Sequence, residues 1–196
     1  MPPDANSTEL EASPAQLAEA LRARLQLAPG ESLYGIVDGA QDLELAYEAK
    51  CLYGQEIRSL FEGDMAPVVA EVAPYLVPID PAGGYLENWC RRWGKNAGVL
   101  LTTSANLEQL CRHLRGIFVV QDEEGQEFFF RYYDPRVLRA FLPTCTPEET
   151  KHFFGQVHRF LAEGCEPGML LRYVVASDGL GMTSVKLSDS KLPAVA

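Results

Sequence analysis

Three short apolar segments, separated by stretches with helical spacing, place the strongest limit on how this chain can fold. They read LYGIVDGA from residue 33, PYLVPI from residue 74 and AGVLLTTS from residue 97. Apolar runs of this length, bounded by turn residues, are typical of buried strands. A later segment, residues 117–133, has the pattern of a β-hairpin. The sequence therefore predicts an α/β (α+β) fold, with a mixed β-sheet and helices packed on it.

Four places carry the signals with which helices begin. Residues 13–16 (SPAQ) and 146–149 (TPEE) each join a hydroxyl side chain, a proline and a later glutamine or glutamate. This combination is a capping box with proline at the first helical position. Asn106 precedes LEQLCRHLRG, and residues 134–135 (DP) precede a further apolar stripe. Helices are predicted after all four, and the helix that begins after residues 146–149 is expected to continue to residue 161.

These patterns divide the chain into four segments. A flexible N-terminus is expected over residues 1–12, followed by an α/β lobe with the mixed sheet over residues 13–133. A helical C-terminal lobe is expected over residues 134–165. The C-terminal extension, residues 166–196, contains MLLRYVVAS, which can form a strand, and is otherwise expected to be a flexible tail.

Charge and composition exclude several classes of partner. The chain has 196 residues and a formal net charge of −10, and an acidic surface repels the phosphates of nucleic acids. It contains no apolar run of about 18 residues, so neither a transmembrane helix nor a membrane partner is expected. Its N-terminus lacks the pattern of a secretory signal, and its five cysteines are scattered. A cytoplasmic protein with reduced thiols is predicted.

The sequence offers few catalytic or cofactor-binding motifs. Trp89 stands where a phosphate-binding loop ending in Gly94-Lys95 would need glycine, and the three histidines do not form a metal-binding pattern. No metal and no cofactor is therefore predicted. Asp38 and Asp134 follow predicted strands and could meet at one sheet edge, where α/β active sites lie. Both residues also suit an ordinary turn and an ordinary helix cap, which is the favoured interpretation.

Several motifs occur together in a characteristic order. They are the Asp-Gly-Ala of residues 38–40, the APYLV of residues 73–77, the helix ending in HLR at residues 104–115, and FRYYDPRVLRAFLP at residues 130–143. In this combination the chain resembles the type VI secretion adaptor/chaperone family. That family is called Tap or TEC and is also known as domain of unknown function 4123.

The similarity covers roughly residues 33–160. It implies a non-enzymatic bacterial protein of the cytoplasm that binds a cognate toxin before secretion. Such a protein also helps to load its toxin onto the VgrG spike. Two other functions remain open from the residues: an immunity protein whose acidic surface neutralises a toxin, and a hydrolase that uses Asp38 and Asp134.

Charged residues in and around the most aromatic segment are candidate functional residues. Arg131 interrupts the run FFFRYY, and burial of such a charge is costly unless it is paired. We expect an ion cluster formed from five residues: Asp38, Arg115, Arg131, Asp134 and Arg136. The cluster either pins the hairpin and the next helix to the first strand, or faces a groove and binds the toxin.

Aromatic side chains are a second set of candidates, because tryptophan and tyrosine are frequent in binding hot spots. The candidate partner-binding aromatics are Trp89, Trp93, Tyr132 and Tyr133, and core packing is the favoured interpretation for Trp89 and for at least one of the two tyrosines.

Overall fold

The computed structural model describes residues 12–64, 66–121 and 124–187. Residues 1–11 and 188–196 lie outside the described residues, so the flexible N-terminus and the end of the flexible tail stay predictions. The helices are α1 (Pro14–Leu25), α2 (Leu43–Tyr53), α3 (Pro67–Val72), α4 (Gly84–Cys90), α5 (Leu107–Gly116), α6 (Pro135–Phe141) and α7 (Pro147–Phe154). The strands are β1 (Ser32–Asp38), β2 (Arg58–Ser59), β3 (Pro74–Ile79), β4 (Gly98–Thr103), β5 (Val119–Gln121), β6 (Glu127–Phe129), β7 (Val157–Glu163), β8 (Met169–Ala176) and β9 (Gly179–Lys186).

Seven of these strands form one sheet in the order β2-β3-β1-β4-β7-β8-β9. The α/β class, with helices packed on a sheet, is confirmed. The sequence predicted a mixed sheet. Every pair of neighbouring strands that the structure describes is instead antiparallel. Strands β5 and β6 form a separate two-stranded hairpin.

Helices cover both faces of the sheet. Successive side chains of a strand point to opposite faces, so a strand with a continuous apolar run packs against helices on both sides. On β1, Leu33 and Val37 pack into a core that includes residues of α1, α2 and α4. Tyr34 and Ile36 pack into a second core that includes residues of α5, α6 and α7. The molecule thus has three layers, with the sheet in the middle.

The four helix starts that the sequence predicts are confirmed. Ser13, Asn106 and Thr146 each accept a hydrogen bond from the amide three residues on, and Gln or Glu at that position completes each box. Asp134 caps α6 through the amide of Arg136.

The predicted continuation of the last helix to residue 161 is wrong. Helix α7 ends at Phe154 because Gly155 adopts a positive φ (50°), which a residue with a Cβ atom rarely does, and its amide donates to the carbonyl of Lys151. Phe160 and Leu161 instead belong to β7, which pairs with β4 on one side and β8 on the other. The segment 134–165 is therefore not a separate helical lobe, since its last part is a central strand of the sheet.

The C-terminal extension is more ordered than the sequence indicates. Strand β8 is confirmed, but Gly179–Lys186, expected to be part of a flexible tail, forms β9 and pairs with β8 along its length. None of the helices within residues 12–64, 66–121 and 124–187 is long and apolar enough to cross a membrane.

Candidate functional site

The aromatic segment FFFRYY divides at Arg131 into an exposed part and a buried part. Phe128 and Phe129 lie on β6 and are 46% and 69% exposed, whereas Tyr132 is 0% and Tyr133 4% exposed. Strand β6 ends at Phe129, and the chain then turns into the core before α6 begins at Pro135.

Arg131 joins this turning point to the end of the first strand. Its guanidinium lies 2.5 Å from the carboxylate of Asp38, which is buried, whereas the arginine side chain is 45% exposed. The other carboxylate oxygen of Asp38 accepts the amide of Ala40 at 3.1 Å. The hydrogen bond to Asp38 raises the pKa of Arg131, although burial acts in the opposite direction. Of the two roles predicted for the cluster, this geometry matches the structural one.

Gly39 follows Asp38 because the chain passes very close to the segment after α3. A Cβ atom at this position would lie 2.6 Å from the carbonyl oxygen of Ala73. The Asp-Gly of the motif therefore has a packing role: Asp38 anchors Arg131, and Gly39 permits the close approach of two backbones.

Asp134 and Arg136 form a second, local ion pair. The guanidinium of Arg136 donates to both carboxylate oxygens of Asp134, at 2.9 and 2.7 Å, while the amide of Arg136 donates to the same side chain. Burial raises the pKa of Asp134, but the bonds from Arg136 outweigh burial and hold the pKa below its ordinary value. This pair fixes the first turn of α6. The charges of the two pairs also interact, Arg131 with Asp134 and Arg136 with Asp38.

Arg115 does not join this cluster, so its prediction as a counter-ion of Asp38 or Asp134 is wrong. Its guanidinium donates to the carbonyl of Ser59 on β2 at 2.8 Å and to Glu62 at 3.3 Å. The physical reason is its position at the last turn of α5, which packs beside the edge strand β2. Nearby, a ring nitrogen of His113 lies 2.9 Å from the carbonyl oxygen of Phe153 at the end of α7. The HLR motif thus ties α5 to two other elements.

Two of the predicted aromatic anchors, Tyr132 and Tyr133, are not on the surface. Tyr132 donates its hydroxyl to the carbonyl of Leu114 at 2.9 Å, and Tyr133 stacks on Phe118 with ring centroids 5.9 Å apart. Burial, followed by the charge of Asp38, raises the pKa of Tyr133 to about 12. Trp93 is half-buried and lines a small cavity of about 10 Å³. The two tyrosines therefore belong to the core.

An apolar groove lies between the hairpin and the edge of the main sheet, and the sequence did not predict it. Its volume is about 380 Å³. Leu60 and Phe118 are buried at its base, and Phe61 contacts the rings of Phe118 and Phe129 with centroids 5.4 and 5.7 Å away. Eight residues line it: Leu60, Phe61, Glu62, Val69, Arg115, Phe118, Val119 and Phe129.

A signal for this groove was present in the doublets Val119-Val120 and Phe128-Phe129. Adjacent residues of a strand point to opposite faces, so a two-stranded hairpin that packs through one face exposes at least one residue of each doublet. Val119 and Phe129 pair across the strands and line the groove, while Val120 and Phe128 pair on the other face. All four side chains are at least 42% exposed.

The groove is suited to binding apolar side chains. Ligand sites are concave and mostly apolar, and this groove is near the small end of their usual range of volumes. Its charged residues, Glu62 and Arg115, are paired with each other. Asp38 and Asp134 do not line it. Within the parts of the chain that the structure describes, no three His, Cys, Asp or Glu side chains are grouped so that they could hold a metal ion.

Comparison with known proteins identifies the family. The model of the family described as Domain of unknown function (DUF4123) matches residues 33–152, which is more than half of the chain. No curated protein and no solved structure is similar enough to count as a match. The matched segment runs from β1 to α7 and includes the Asp38–Arg131 pair and every residue that lines the groove. The chain therefore belongs to the DUF4123 family, whose function is unknown.

Proposed function

We propose that the protein is a non-enzymatic adaptor, or chaperone, that binds a cognate type VI secretion toxin in the cytoplasm and helps to load it onto the VgrG spike. The motifs that resemble the adaptor family lie within the segment matched by the family model. The observation that carries the proposal is the exposed apolar groove beside the hairpin.

An exposed groove with aromatic walls supports a role in binding another protein. Contiguous apolar surface is uncommon on monomeric soluble proteins and often marks an interaction site. Phe129 is 69% exposed and stands at the wall of the groove, where a partner side chain would cover it. Aromatic residues in such positions supply most of the binding energy when a partner removes them from water.

The arrangement of carboxylates favours binding over hydrolysis. Asp38 and Asp134 have side chains that are 2% and 6% exposed, and each is paired with an arginine. A general acid or base must reach a substrate, and a catalytic pair must face a common pocket. These two carboxylates instead hold the segment 131–136 in place, which supports the adaptor over the hydrolase.

The test is affinity purification of the tagged protein from its host, followed by mass spectrometry. The wild type is expected to retain a protein that arrests bacterial growth when expressed alone, with or without VgrG. Phe129→Ala should lose most of this toxin. Met182→Ala is the matched control, because Met182 is 54% exposed on β9 at the opposite edge of the sheet.

Two outcomes would overturn the proposal. The first is a wild-type protein that retains no toxin although the toxin is expressed. The second is a toxin whose activity is abolished by this protein in living cells and which is never found with VgrG, since that behaviour belongs to an immunity protein. Equal retention by Phe129→Ala and Met182→Ala would remove the groove as the binding site.

A further inference from the structure

The hairpin wall of the groove carries a negative charge, while several other charged side chains nearby are paired. Arg115 is paired with Glu62, and Arg58 on β2 is paired with Glu108 on α5, at 3.3 and 2.9 Å. Two further carboxylates, Asp64 and Glu127, are exposed. In the described part of the chain, neither has a lysine, arginine or histidine within ion-pair distance. Strands β5 and β6, which form one wall of the groove, thus carry the carboxylate of Glu127 and no cationic side chain.

Glu127 is placed to act on whatever occupies the groove. It lies two residues before Phe129 on β6, so both side chains emerge from the same face of the hairpin. The cross-strand neighbour Gln121 donates to the carboxylate of Glu127 at 3.2 Å, which holds the carboxylate above this face without neutralising it. Asp64 lies two residues after Glu62, which lines the groove.

From this juxtaposition of an apolar groove and the carboxylates of Glu127 and Asp64, its acidic rim, we propose that the groove binds a peptide segment in which apolar side chains are flanked by lysine or arginine. The inference rests on the proposed function, because it describes the segment of the toxin that the adaptor recognises. The apolar side chains fill the groove against Phe129, and the basic residues lie opposite Glu127 and Asp64.

Charge also argues against two other occupants. The chain has a net charge of −10, so a second copy docked through the same groove would bring two acidic rims together. Like charges placed opposite each other across an interface oppose association. An anionic lipid surface would meet the same repulsion. A basic apolar segment is the partner for which both the charge and the shape of this site are favourable.

The test uses three fluorescent peptides that share the apolar core Leu-Phe-Val-Leu. Two residues on each side of the core are lysine in the first peptide, glutamine in the second and glutamate in the third. Binding to the full-length protein is measured by fluorescence anisotropy at low and at near-physiological salt. The lysine peptide should bind at least about tenfold more tightly than the glutamate peptide at low salt, and salt should reduce the difference.

Variants separate the groove from the general acidity of the protein. Phe129→Ala should weaken the binding of the lysine and glutamine peptides alike, by about tenfold. The double change Glu127→Gln and Asp64→Asn should weaken only the lysine peptide, by about three- to fivefold. The control is Glu19→Gln, because Glu19 is an exposed carboxylate on α1, on the other side of the sheet. It should leave all three affinities unchanged.

The inference is overturned if the three peptides bind equally, if no peptide binds at millimolar concentration, or if Glu19→Gln has the same effect as the rim variant. Failure here is distinguishable from failure of the proposed function. If the toxin is retained through Phe129 but the peptides show no preference for lysine, the adaptor function stands and only the proposed basic segment is rejected. If the peptides show a preference for lysine but no toxin is retained, the groove binds basic apolar segments and the adaptor function is rejected.

Discussion

Two nearby parts of one aromatic run differ in exposure: Phe128-Phe129 is exposed and Tyr132-Tyr133 is buried. The phenylalanines lie on a two-stranded hairpin that is separate from the main sheet, and they are largely exposed. The tyrosines are in the core, where Tyr132 donates to the carbonyl of Leu114 and Tyr133 stacks on Phe118. Aromatic content alone therefore distinguishes neither core from surface nor packing from binding. The partners available to each side of Arg131 make the difference.

Arg131 is the boundary between the two parts. Its pair with Asp38 joins residues 93 positions apart and directs the chain from the hairpin back to the sheet. Substitutions of Tyr132 and Tyr133, after Arg131, should affect folding stability. Substitutions in the hairpin before Arg131 should affect binding.

Tyr132→Ala should have the largest effect on folding. Tyr132 is fully buried and contacts the rings of Phe118, Phe130, Tyr133 and Phe153. Removing a large buried ring leaves a cavity and typically costs about 3–5 kcal/mol of unfolding free energy. The measurement is urea denaturation followed by fluorescence. Phe128→Ala is the control in the exposed part and should cost less than about 1 kcal/mol. Equal losses would show that burial does not separate the two parts.

Arg131→Ala should be the next most damaging change, at about 2 kcal/mol. Among the residues that the structure describes, it leaves the buried carboxylate of Asp38 with the amide of Ala40 as its one hydrogen-bond donor. Breaking a buried pair on one side usually costs about 3–5 kcal/mol, and the half-exposed guanidinium lowers that cost because water can partly replace it.

Arg136→Ala is the matched comparison for that change. It removes the guanidinium from Asp134 but leaves the amide of residue 136 to bond to the same carboxylate. Thermal denaturation should show a clearly smaller decrease in Tm than for Arg131→Ala. A larger decrease for Arg136→Ala would mean that the helix cap, and not the bond to the first strand, holds this region.

Tyr133→Phe should change the pH dependence of stability. The pKa of Tyr133 is raised from 10.0 to about 12 in the folded protein, by burial and then by the charge of Asp38. Between these values the unfolded chain releases the phenolic proton and the folded protein does not. The contribution of the Tyr133 hydroxyl to the free energy of unfolding is therefore complete below pH 10 and is lost as the pH rises towards 12. From about pH 9 to about pH 11, the wild type should lose about 1 kcal/mol more unfolding free energy than Tyr133→Phe. Parallel curves would mean that the hydroxyl of Tyr133 is in contact with water.

Local signals in the sequence predicted the helix starts well, and long-range pairing less well. A capping box involves residues three positions apart, so the helices after Ser13, Asn106 and Thr146 could be predicted from a few residues. Strand β7 could not, because it is buried on both faces and its apolar residues do not alternate. The spacing of Phe153, Val157 and Phe160 is the same as that of a helix, and Gly155 was the signal that the helix ends.

The candidate site shows the same limit. The sequence indicated that Arg131 needs a carboxylate, but it offered both Asp38 and Asp134, and it offered Arg115 as a competing cation. Only the packing of α5 beside β2 excludes Arg115 from the cluster. The groove was missed because its walls come from α3, α5, β5, β6 and the turn after β2, which no local pattern brings together.

Phe129→Ala should have the smallest effect on stability and the clearest effect on binding. Its ring contacts Phe61 and Phe118, with centroids 5.7 and 5.4 Å away, but is 69% exposed, so its removal should cost about 1 kcal/mol or less. Urea denaturation of this variant, beside peptide binding by the same sample, gives both quantities. If stability falls by several kcal/mol, the hairpin is part of the core and loss of binding would not locate a site. If stability is kept and binding is lost, the exposed phenylalanine is retained for a partner, because its contribution to the fold alone is small.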